Sequence, residues 1–310
     1  MLALEGPLVR KVLAWTNVFL YTIVLYNGYC FDSQTARKHD TAIEPDGPYF
    51  AIWGLIYLLL ACYVIREACF TIPDDAPDKN SRTGQVRLLF GLSCLLNSAF
   101  VQCMSKEWFL ISFFCMFSLW LVLGNIYVYN IERFRPVYEY SPFSLYRDWK
   151  YASEDPYDYL FRRIPFSIYY GWTCVATILV VVAYLGSLGY PAMLWPSLAI
   201  VSVGALAYLM VSFVLCDFFI GLVGAYLLFA CMKRCERRMF MYDEYVKDVA
   251  AYEDAVRHHQ GVLPPKPELT DMLAPISKDL FAITLEGFLV VALGLLTILA
   301  LSLFIRRVKS

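Results

Sequence analysis

Apolar residues fall into long runs along this chain, separated by shorter polar stretches, and each run has the length of a membrane-crossing helix. The first five runs are Val12–Phe31, Tyr49–Ile65, Leu88–Met104, Trp108–Asn130 and Ile164–Leu188. About 20 apolar residues cover the ~30 Å hydrocarbon core of a bilayer. The stretch from Pro191 to Met232 is too long for one helix and divides near Ser212–Asp217. Asp217 is its only charge, and a carboxylate is costly at mid-bilayer, so the turn belongs at the interface. Leu280–Ile305 forms an eighth run, closed by Arg306, Arg307 and Lys309. The pattern predicts an all-α, polytopic bundle of about eight transmembrane helices. The N-terminal residues resemble a signal-peptide start, but the first run is too long for one and reads as a retained helix.

Two polar segments break the pattern. Residues 131–163 interleave charges such as Arg133, Asp148, Lys150, Arg162 and Arg163 with many tyrosines and Trp149. Tyrosine and tryptophan favour the headgroup level, which suits an interfacial segment; an ordinary polar loop explains it nearly as well. Beyond Lys233, Met239, Tyr242, Tyr245, Val246, Val249 and Tyr252 recur at helical spacing among charged residues. This is an extramembrane amphipathic helix, ended by Gly261, Pro264, Pro265 and Pro267. The expected division is therefore a membrane bundle over 1–233, an extramembrane segment over 234–279, and a last span with a basic tail over 280–310.

Composition sharpens this picture. Of 310 residues, 59% are hydrophobic and 17% charged, and mean hydropathy is +0.54. A soluble domain is nearer about 45–50% apolar and 25% charged. The net charge of −1 argues against a nucleic-acid partner. Most of the ten cysteines lie inside apolar runs and no CxxC pair occurs, so they read as small buried hydrophobes rather than metal ligands or disulfides. On one side of the bundle the short loops carry Arg10, Lys11, Arg66, Lys79, Arg82 and Arg87, the basic residues of 131–163, and the C-terminal cluster. The other side has Arg37, Lys38 and Lys106. Both termini are expected on the same, positive-inside side, although Lys233, Arg234, Arg237 and Arg238 run against this assignment.

No HExxH, GxSxG, Walker or GxGxxG motif occurs, and the three histidines, His39, His258 and His259, lie outside the spans. No enzyme activity is expected. Internal repeats and several midplane charges, which would mark a transporter, are also missing.

Two stretches carry more specific information: Pro48-Tyr49-Phe50-Ala51-Ile52-Trp53-Gly54-Leu55-Ile56-Tyr57, and Arg163-Ile164-Pro165-Phe166-Ser167-Ile168-Tyr169-Tyr170-Gly171-Trp172-Thr173-Cys174-Val175-Ala176-Thr177-Ile178. Both resemble signatures of the extended tryptophan-rich sensory protein family, relatives of the TspO/translocator protein. Leu96-Asn97-Ser98-Ala99-Phe100 resembles the same family's third-helix motif, with Phe100 where tryptophan is usual. An asparagine usual soon after the second signature is replaced by Leu179 and Val180. The resemblance covers roughly residues 10–233 and implies a seven-helix part followed by one appended span. It also implies a pocket for a flat apolar molecule, such as a tetrapyrrole, sterol or lipid, lined by Tyr49, Phe50, Trp53, Tyr57, Asn97, Phe100, Tyr169 and Trp172.

Read without the family, the same residues have plainer uses. Any single aromatic suits headgroup anchoring, while Gly54 and Gly171 beside Trp53 and Trp172 favour indoles turned inward. Asn17 and Asn97 suit interhelical hydrogen bonds before ligand contacts. Glu286, an acid inside the eighth run, is either interfacial or paired with a partner subunit. The partners expected are membrane lipids and protein subunits contacting 234–279 and the eighth helix. The alternative to ligand binding is an accessory subunit of a larger organellar membrane assembly, mitochondrial or plastid.

Overall fold

A computed structural model describes residues 7–30, 47–70, 77–133, 159–188, 199–208 and 217–258, together with helical positions between 281 and 294. The expectations for Glu286, for Gly261–Pro267 and for most of 131–163 lie outside the described residues. Among those described, the regular structure is all helical. Among the described residues five helices are long and apolar enough to cross a membrane, and a shorter apolar one follows. In hydrocarbon this is the expected solution, because a helix satisfies its own backbone polar groups.

The chain divides into two compact units, Met1–Asp40 with Ala51–Gly189, and Thr41–Phe50 with Tyr190–Ser310. The first unit holds α1 (Pro7–Tyr29), α2 (Ile52–Cys69), α3 (Pro77–Ser105), α4 (Phe109–Arg133) and α5 (Ile164–Ser187). Its helices close into a ring: α1 packs on α2 and α3, α3 on α4, α4 on α5, and α5 returns to α2. Large apolar side chains such as Phe19, Leu58, Leu95 and Phe114 face outward. Outward-facing apolar side chains of this kind suit contact with lipid.

The helix ends have local causes. Pro48 opens a 3-10 turn, Gly47–Ala51, rather than the α-helix itself, which begins at Ile52. Proline also stands in the first turn of α5, where its missing N–H costs nothing. A π-helical turn, Tyr159–Arg163, leads into α5. Arg162 and Arg163 are buried there, so this end of the expected interfacial segment belongs to the bundle. Between α3 and α4 the turn is a Schellman cap: Trp108 N–H donates to the Cys103 carbonyl at 2.9 Å and Glu107 N–H to Met104 at 3.0 Å. Glu107 takes the left-handed φ of 59° that such a cap demands.

The ring interior is layered. At one end Glu67 of α2 accepts hydrogen bonds from Nε of Arg87 on α3, at 2.9 Å, and from Nε of Arg162, at 2.8 Å. A second Arg162 nitrogen binds the same carboxylate. Arg87 also donates to the Arg10 carbonyl of α1 at 3.2 Å, and Asn17 of α1 donates to the Arg87 carbonyl at 2.8 Å. Gly91 is needed here, because a Cβ would stand 2.8 Å from the Asn17 amide oxygen. One turn further in, Tyr63, Phe90 and Phe166 pack edge to face, with centroids 4.9–6.0 Å apart. All three are fully buried. On the α4–α5 flank Tyr170 stacks on Trp120 and Tyr127, and the Trp120 indole donates to the Cys174 sulfur at 2.9 Å.

The second unit contains α6 (Ala199–Tyr208) and α7 (Phe218–Arg257). Asp217 caps α7, its carboxylate accepting from the N–H groups of Phe219 at 3.0 Å and Ile220 at 3.4 Å. The charge that divides the long apolar run is thus a helix start. Gly224 admits the Tyr208 ring, whose nearest atom would lie 2.5 Å from an added Cβ. Helix α7 has 40 residues without a break, so residue 233 lies inside a single helix. At ~1.5 Å per residue it is ~60 Å long, twice the hydrocarbon thickness. Its apolar opening ends at Lys233, and the charged remainder extends beyond. Burial pushes the Cys235 thiol up to about 11 against the opposing pull of the Arg238 and Arg234 guanidiniums, which leaves it a packing group.

Two stability changes follow. Glu67→Leu strands two buried guanidiniums and should cost about 3–5 kcal/mol, whereas adding Arg87→Met and Arg162→Met should recover most of that loss. Thermal unfolding of the three forms in one detergent measures both. Asp217→Ala should cost about 1 kcal/mol and Asp217→Asn much less, because asparagine also caps; the same melts read this.

Candidate functional site

Helical spacing brings aromatic side chains from two helices to one place in the ring. Trp53 and Tyr57, four residues apart, share a face of α2, and Tyr169 and Trp172, three apart, share a face of α5. The Trp53 ring lies 6.3 Å from Trp172 at 90°, 6.2 Å from Tyr169 at 72°, and 5.7 Å from Tyr57 at 34°. Edge-to-face contacts of this kind match the positive rim of one ring to the negative face of the next. Trp172 and Tyr169 are buried, while Trp53 is half-buried.

The third helix adds a polar group. Asn97 of α3 is 2% exposed and its side chain lies beside the phenols of Tyr57 and Tyr169. Its carbonyl oxygen is buried with no hydrogen-bond partner. From α1, the Tyr21 hydroxyl donates to the Tyr57 carbonyl, which fixes the backbone behind the cluster. Side chains of α2, α3 and α5 therefore meet at this amide, with α1 bonded to the α2 backbone behind them.

Five of the eight residues expected to line a pocket meet here: Trp53, Tyr57, Asn97, Tyr169 and Trp172. Phe100 is elsewhere, packed against the buried group of Met104, Phe109 and Val180. Phe50 is half-buried in the 3-10 turn and belongs to the second compact unit. The Tyr49 side chain lies outside the described residues. Of the two glycines, Gly54 differs from expectation: it faces open space, with nothing within 4 Å of an added Cβ, whereas Gly171 is buried. Helical register, not a small neighbour, turns Trp53 inward.

Sequence reasoning passed over Glu67 and placed Arg87 and Arg162 in loops. The available signal was a lone acid inside an apolar helix, which demands a buried partner. Asn17 makes the interhelical hydrogen bond expected of it, to the Arg87 carbonyl. Among the described residues no group of three or more His, Cys, Asp or Glu side chains is placed to hold a metal ion.

Comparison with known proteins agrees with the motifs. A model of the family described as TSPO-like protein matches residues 12–246. No curated protein and no solved structure matches the chain. The family match spans most of the sequence, takes in both signature stretches and the Asn97 motif, and coincides with a helical membrane bundle: this chain belongs to the TSPO-like protein family.

Proposed function

We propose that the chain is a non-enzymatic, multi-pass membrane protein that binds a flat apolar ligand at the shell of Trp53, Tyr57, Asn97, Tyr169 and Trp172. A tetrapyrrole, a sterol and a lipid are the candidate classes. The observation that carries this reading is the Asn97 carbonyl, buried with no hydrogen-bond partner on a side chain that lies beside Tyr57 and Tyr169. Leaving such an acceptor unmet costs about 1–3 kcal/mol. A ligand bearing one N–H or O–H group on an otherwise apolar body would offset that cost. The rings are in mutual contact, so a flat ligand stacks on the half-buried Trp53 or displaces it; it does not enter a ready slot. The distribution of Lys and Arg supports an orientation with both termini on the positive-inside side, and an organellar inner membrane fits the same reading.

One observation favours a second reading, a structural subunit of a larger organellar membrane complex that has lost its ligand. Phe100, at the position where the family resemblance expects tryptophan, packs against Met104, Phe109 and Val180 rather than joining the aromatic shell.

Titration of the purified chain in lipid nanodiscs with protoporphyrin IX, and in parallel with a fluorescent sterol, separates the two. Saturable quenching of tryptophan emission is expected, weakened about tenfold or more by Asn97→Leu, a loss of ~1.4 kcal/mol. Trp53→Ala should weaken it similarly. Emission unchanged by either ligand, or quenching indifferent to both substitutions, would favour the subunit reading.

A further inference from the structure

The distal half of α7 carries a repeat that the aromatic shell does not use. Tyr242, Tyr245, Val249, Tyr252 and Val256 follow one another at alternating spacings of three and four residues. That is the a/d pattern of a helix that packs along another helix. Toward the membrane the same stripe continues through Arg238 and Cys235, which are buried. From Tyr242 onward none of these residues is fully buried: Val246 and Val256 are exposed, and Tyr242, Tyr245, Val249 and Tyr252 are half-buried. The Tyr242 and Tyr245 rings lie side by side, with centroids 6.5 Å apart. The strip is about 21 Å long, and it belongs to a helix already held by its apolar first half. Docking on it therefore spends little on ordering.

Charge selects the occupant. Between Tyr242 and Arg257 stand Asp243, Glu244, Asp248, Glu253 and Asp254, against Lys247 and Arg257 alone. Asp248 and Glu253 occupy the g and e positions that flank the stripe. Arg257 reaches Glu253 at 3.6 Å and His258 reaches Asp254 at 3.3 Å, but both pairs are well exposed to water and weak. A second copy of this helix lying parallel would set Asp248 against Glu253 and repel. An anionic bilayer surface would repel the same carboxylates. We infer that Tyr242–Val256 is a docking strip for one amphipathic helix of another protein, with apolar residues in a three–four repeat and Lys or Arg on the flanks.

This surface is independent of the ligand reading and remains if porphyrin and sterol titrations fail. The test uses the full chain in zwitterionic nanodiscs and two labelled three-heptad peptides, with Leu at a and d and either Lys or Glu at e and g. Fluorescence anisotropy should show the Lys peptide binding at least about tenfold tighter than the Glu peptide, with affinity falling as salt rises. Val249→Asp should abolish binding. The double variant Asp248→Lys, Glu253→Lys should reverse the preference, a gain that misfolding does not mimic. Equal binding of both peptides, binding of neither, Lys-peptide binding that persists in Val249→Asp, or self-association of the chain lost on Val249→Asp overturns the inference.

Discussion

Taking a carboxylate out of water into a membrane bundle costs several kcal/mol, and the first unit meets that cost by surrounding Glu67 with two guanidiniums. Because Arg87 comes from α3 and Arg162 from the entry to α5, the carboxylate of α2 is satisfied only when three helices are in register. Arg87 extends the constraint to α1 through the Arg10 carbonyl, and Asn17 returns it. Apolar packing in lipid discriminates weakly between registers, since lipid tails are as apolar as leucine. The ion cluster discriminates strongly. A slip of one residue in any of the three helices would leave a buried charge unpaired.

The layers above depend on that register. Tyr63 stands four residues before Glu67, Phe90 three after Arg87, and Phe166 four after Arg162, so fixing the charges stacks these rings into one plug. Continuing along the same helix faces places Trp53 and Tyr57 opposite Asn97, Tyr169 and Trp172. The polar amide lies beside Tyr57 and Tyr169, on helices that the ion cluster has already aligned. Structure and candidate function thus lie on the same helix faces, about 15–20 Å apart along the bundle at ~1.5 Å per residue.

The second unit follows another logic. Asp217 starts α7 by satisfying two of its free N–H groups, and Gly224 lets the Tyr208 ring approach. The helix then runs on well past its apolar opening. Continuity matters physically, because a helix anchored at one end presents its distal face without a further ordering cost. The family match reaches residue 246, so it takes in the start of this projecting half.

The sequence by itself determined that the chain is helical and belongs in a membrane, since apolar runs of bilayer length admit little else. It also located the start of α5, the break at Asp217, and the amphipathic character beyond Lys233, all of which depend on residues close together along the chain. The aromatic pairs Trp53 with Tyr57 and Tyr169 with Trp172 were legible for the same reason: each lies within one turn. Only the tertiary structure decided that Glu67, 20 residues from Arg87 and 95 from Arg162, binds both. It also decided that Phe100 packs away from the shell, that Gly54 faces outward, and that α7 is unbroken through residue 233. Periodicity says which residues share a face of one helix. Which helix that face meets, and at what height, depends on pairing between distant charges and rings, and a linear pattern does not contain it.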